Sequence, residues 1–87
     1  MRQKSGQIPA MPRYFFHIQN GTKTLRDSEG VELKNLDEVR EEAMESAREI
    51  MSERLLNGGP PIERAFIVED EDGNTVLTFP FKHALDQ

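Results

Sequence analysis

The middle of the chain carries one helix with both of its ends written in the residues, and that segment limits what the flanks can become. Leu36, Val39, Ala43, Ala47 and Ile50 recur at three- and four-residue spacing, so they share one side of a helix. Met44, Met51 and Leu55 widen that side on one flank. Glu38, Glu41, Glu42, Glu45, Glu49 and Glu53 gather on the opposite side. Asn35 stands at the N-cap with Glu38 three residues on, an asparagine variant of the capping box. The run "NGGPP" at 57–61 offers a glycine for the C-cap and prolines that cannot continue the helix. A helix over 36–56 is about 31 Å long, whereas an ordinary strand spans about 17–20 Å. Its C-terminal end is therefore expected to overhang its own sheet.

Strand patterns lie on both sides. Tyr14, Phe16 and Ile18 alternate with Phe15, His17 and Gln19, and Asn20-Gly21 supplies residues suited to a type I′ turn. A two-residue loop there pairs Gln19 with Thr22, His17 with Thr24 and Phe16 with Leu25. Tyr14, Phe16, Ile18 and Leu25 then face the core, and Phe15 and His17 face away. "DSEG" at 27–30 reads as a turn, and Val31 to Leu33 as a short third strand before the helix. Beyond the helix, "AFIVE" and "TVLTF" flank an acidic turn. A two-residue Asp72-Gly73 loop pairs Val68 with Leu77 and Phe66 with Phe79, leaving Ile67, Val76 and Thr78 on the far side. A three-residue loop from Glu71 to Gly73 shifts that register by one. Pro80 lacks a ladder donor, so the last strand is an edge or ends there, and "KHALDQ" reads as a short terminal turn.

The resulting order is β-β-α-β-β: an α+β domain, with an antiparallel sheet of two hairpins and one long amphipathic helix on one face. Residues 11–87 form a single domain, since 87 residues leave no room for a second core. Residues 1–10 are polar and aperiodic and read as a disordered extension. A domain this small has no cysteine to staple it, so self-association, most simply as a homodimer, is one way to bury more surface. The far side of the sheet, with Phe15, His17, Ile67 and Val76, is more apolar than a solvent face requires. Either that face or the Met44, Met51 and Leu55 flank of the helix is expected to carry the contact.

Chemistry has few footholds. The net charge is −5, and beyond residue 12 nine basic residues stand against sixteen acidic ones. No basic patch offsets that balance, so direct nucleic-acid binding is disfavoured. No apolar run is long enough for a membrane span or signal core, and a cysteine-free acidic chain suits the cytoplasm. Asp70, Asp72 and Asn74 alternate like the opening of a calcium loop. The positions that need a glycine and a bidentate glutamate, however, hold Thr75 and Phe81. His17 and His83 are the only histidines and have no partners at a metal-ligand spacing. His17, opposite Thr24, offers at most a titratable group tuning an interface. The carboxylates sit on a solvated helix face or a turn tip, where no pocket separates two pKa values. There is no nucleophile elbow, and Gly58-Gly59 follows a helix instead of opening one as a phosphate loop does. No catalytic residue, metal or cofactor is assigned.

The segments "MPRYFFHIQNG" and "DSEGVEL" with the Ala- and Arg-containing helix resemble small bacterial domains of unknown function that open Met-Pro-Arg-Tyr-Phe-Phe-His. The resemblance covers residues 11–82, with Asp27, Glu29, Gly30, Glu32 and Leu33 matching its second segment, and implies that Met11 is the usual start. A weaker, topological similarity links the chain to the antitoxin subunit of HicAB toxin–antitoxin pairs, through "LDEVREEAMESARE" after a strand meander. Three functional classes follow. The first is a non-catalytic, self-associating interaction module. The second is an antitoxin-like or regulatory subunit that masks a basic protein, and the third is a small enzyme or ligand-binding domain.

Overall fold

A computed structural model describes residues 11–58 and 63–86. The expected N-terminal extension and Pro60-Pro61 lie outside these residues, as do the side chains of Leu55 and Asp86. The strands are β1 (Arg13–Asn20), β2 (Lys23–Leu25), β3 (Val31–Glu32), β4 (Ala65–Glu69) and β5 (Thr75–Pro80). Helix α1 (Leu36–Leu56) stands between β3 and β4, and a 3-10 helix, Phe81–Asp86, follows β5. All pairings are antiparallel, in the order β2-β1-β4-β5, with β3 beside the start of β1. The α+β architecture expected from the sequence is the one observed.

Helix α1 has the expected bounds. Asn35 Oδ1 accepts the Glu38 N–H at 3.0 Å. The Glu38 carboxylate reaches back to the Lys34 N–H at 2.7 Å, one residue earlier than in the usual reciprocal box. At the other end, Gly58 takes a φ of 79°, the left-handed conformation that closes a helix. The apolar stripe engages from Val39 onward, and Leu36 in the first turn is exposed. Val39, Ala43, Ala47 and Met51 meet Tyr14, Phe66, Val68 and Phe79 from the sheet. Two alanines in the stripe let the helix backbone come close to the sheet.

The terminal segment is part of the core. Phe81 is fully buried and Ala84 nearly so, and the Phe81 ring lies 4.8 Å from that of Phe66. Pro80 has no N–H to give, and β5 ends there on the sheet edge. The next residue restores the pairing, with the Phe81 N–H donating to Arg64 O at 2.8 Å. The polar letters of "KHALDQ" hide this packing, because the two residues that bury are Phe81 just before it and the small Ala84.

Both hairpins depart from the simplest reading. In the first, the loop is Gly21-Thr22, so Ile18 faces Leu25, Gln19 faces Thr24, and Asn20 faces Lys23. Gly21, with φ 65°, is the first loop residue instead of the second. The slip is two residues, which preserves every side-chain face. Leu25 stays on the helix side yet is 69% exposed, because α1 leans over β5 and the terminal helix at the other edge. In the second hairpin the loop is Glu71 to Gly73: the Asp70 N–H donates to Asn74 O, and Gly73 takes a φ of 85°. Glu69 pairs with Thr75, and a bulge then inserts Val76 before Val68 meets Leu77 and Phe66 meets Phe79. The three-residue loop and the extra residue cancel, so the expected core register holds on a different turn.

Candidate functional site

The sheet face away from α1 is where the described side chains gather polar groups. β1 alternates, so Phe15, His17 and Gln19 point to this face, opposite Glu69, Ile67 and Ala65 of β4. No described helix packs on it. The segment Arg26 to Gly30 folds against its β1 end.

His17 is the buried polar residue of the described chain, 3% exposed. The Asp27 N–H donates to its Nδ1 at 3.0 Å. An accepting Nδ1 places the ring proton on Nε2, which donates to Glu69 Oε1 at 3.1 Å. Arg26 Nη2 lies 3.5 Å from the same carboxylate oxygen, so Glu69 joins the histidine to the guanidinium. Both ring nitrogens are satisfied, which removes the cost of about 1–3 kcal/mol for a buried unpaired polar group.

Asp27 fastens the segment from the other side. Its Oδ2 accepts the Phe16 N–H at 3.0 Å, and its Oδ1 accepts the N–H groups of Glu29 and Gly30, each at 3.1 Å. Phe16 N–H points to the β1 edge used by β2, and the Leu33 N–H finds Pro12 O along the same edge at 3.0 Å. The carboxylate thus fills the gap in the ladder between β2 and β3. Burial works against its charge, but the donors from Phe16, Gly30 and Glu29 outweigh burial and hold its pKa below the usual 3.8. Gly30 closes the turn with φ 71°. A Cβ there would lie 2.9 Å from Tyr14 O, the Phe15 ring and Arg13 Cγ. Arg13 completes the clasp, donating to Glu29 O at 2.8 Å and to Glu32 Oε2 at 3.1 Å.

The two sequence segments that opened the family resemblance, 11–21 and 27–33, are therefore one structural unit. Arg13, Phe15, Phe16 and His17 each touch the Asp27–Gly30 turn, and Arg13 also holds Glu32. Spacing did not reveal Glu69 as a partner of His17, because that contact spans 52 residues. The expected pairing of His17 with Thr24 is not formed. Thr24 faces Gln19, and His17 meets the Asp27 backbone.

The remaining candidate residues fall in different places. Phe15 and Ile67 are half-buried on the open face. Val76 sits at the bulge and packs on the core, Met44 is half-buried against the same core, and Met51 is buried within it. The side chain of Leu55 lies outside the described residues. The Asp70 to Asn74 turn is closed by its own groups: Asp70 Oδ1 accepts the N–H groups of Asp72 and Asn74, both at 2.9 Å. Donation from Asn74 is the main cause that lowers the Asp70 pKa. Among the described residues, no group of three or more histidines and carboxylates is placed to hold a metal ion. The His17 cluster borders an open hollow of about 240 Å³.

The fold and this clasp define a two-layer α+β domain with one sheet face covered by its helix and the other left uncovered by any helix among the described residues. The chain belongs to the domain of unknown function family DUF6894, whose model matches residues 13–82. That match takes in the clasp, the helix and both hairpins. No curated protein and no solved structure matches the chain. No described helix is long and apolar enough to cross a membrane.

Proposed function

We propose that this domain is a non-catalytic interaction module that associates with a second copy of itself through the open sheet face. One observation carries the reading: Phe15, Ala65 and Ile67 are half-buried side chains on a face that no described helix covers. The alternative surface on the helix is weaker, since Met51 and Met44 are already committed to the protomer's own core. The sheet edges are poor templates for pairing as well. β5 carries a bulge and ends in Pro80, and β2 is only three residues long. Contact by face is what remains, with Ile67 at its centre and the His17 cluster as a rigid polar floor.

Sedimentation velocity at micromolar to hundred-micromolar concentration tests the reading. The wild-type chain should sediment as a concentration-dependent dimer. Ile67→Glu should sediment as a folded monomer, its fold checked by circular dichroism, because the new charges meet across the contact. A wild-type chain that stays monomeric throughout contradicts the proposal. A second reading rests on the exposed row Glu41, Glu45, Glu49 and Glu53, which suits a basic protein partner. It predicts a monomer whose binding of that partner is lost on Glu45→Lys with Glu49→Lys.

A further inference from the structure

The open face is electrically lopsided along the strands. At the end where β1 turns into β2, a hollow of about 300 Å³ beside Gln19 and Ala65 carries one base, Lys82, and one acid, Glu63, while Arg64 at its rim follows Phe66 to the helix side of the sheet, where it also lines a hollow with Ile18 and Leu25. At the other end, the hollow beside Phe15 and His17 is lined by Asp27, Glu69, Asp70 and Glu71 against one base, Arg26. Gln19 and Phe15 are four residues apart on β1, so the hollows lie about 14 Å from each other along the strand. Ile67 lies between them, opposite His17 and Thr78.

Resting on the self-association proposed above, we infer that two copies pack face to face with their strands antiparallel, about a two-fold axis passing near Ile67. That orientation sets the Lys82 hollow of each copy over the acidic hollow of the other. The opposite orientation sets the acidic hollows of the two copies on each other and leaves Lys82 without an acid from the partner, which costs energy. A two-fold contact is isologous, so both favourable meetings arise from a single surface. The apolar centre supplies affinity, and the two charged ends supply orientation.

Charge reversal separates this inference from the reading beneath it. Lys82 and Glu71 are both exposed, so reversing either leaves the core intact. In low-salt sedimentation equilibrium, Lys82→Glu alone and Glu71→Lys alone should each weaken the dimer by about tenfold, since each turns two attractions into repulsions. The chain carrying both substitutions should regain wild-type affinity. If the wild-type chain dimerises but the single variants associate as tightly as it does, the antiparallel orientation is wrong and self-association stands. If the wild-type chain is monomeric, both are overturned.

Discussion

The two faces of the sheet solve different problems with the same alternating strands. Under α1, Tyr14, Phe66, Val68 and Phe79 are closed over by the helix and by Phe81 in one hydrophobic cluster. On the other face, the residues one step along, Phe15, His17, Ile67 and Glu69, combine a fixed polar network with half-buried apolar groups. The first face stabilises the monomer. The second holds the Arg26 to Gly30 segment by hydrogen bonds and leaves Ile67 without a described cover. The difference is that burial makes the fold on one face, whereas the other face is the one on which the proposed contact between copies rests.

The sharpest break of the covered face is Phe81→Ala, expected to cost about 4 kcal/mol in a denaturant titration because it empties a fully buried site. A loss under 1 kcal/mol would mean that the terminal helix is not part of the core. Gly30→Ala comes next, at about 3 kcal/mol, since it combines a positive φ with a clash against the Tyr14 carbonyl. Gly21→Ala has a similar φ but open space around it, and should cost about 1 kcal/mol. Equal effects would show that the clasp tolerates movement. Asp27→Ala should cost about 2 kcal/mol, reduced from the sum of three charged hydrogen bonds by its partial exposure. The depressed pKa of Asp27 adds a pH signature. Its contribution is present above the unfolded value near 3.8 and disappears as pH falls through the lower folded value. The stability difference between wild type and Asp27→Ala should therefore shrink in acid. On the open face, Ile67→Thr should change monomer stability by about 1 kcal/mol or less in dilute solution, while weakening association. A large stability loss there would make the two faces alike.

The helix was legible because its cap, stripe and stop signal are all local, and its bounds agree at both ends. The core sides of β1, β4 and β5 were legible because the two-residue period survives a slip of two, or a loop and bulge that cancel. What was hidden depends on contacts distant in sequence or on small residues. Asp27 reads as a turn residue, yet its carboxylate serves a strand eleven residues away. Glu69 reads as the last outward residue of a strand, yet it anchors His17. Ala84 carries too little apolar weight to signal that the terminal turn packs inward. On the far face, Phe15 and His17 each have a structural task. Phe15 supports the Gly30 turn, and His17 fastens Asp27 to Glu69.

The most direct measurement of the contrast between the faces is a concentration series of methyl NMR spectra. Self-association through the open face predicts that the Ile67 methyl resonances move with protein concentration, whereas those of Val39 and Ala43 under the helix stay fixed. Stationary Ile67 resonances up to millimolar concentration, or movement of Val39 and Ala43 alone, would contradict it.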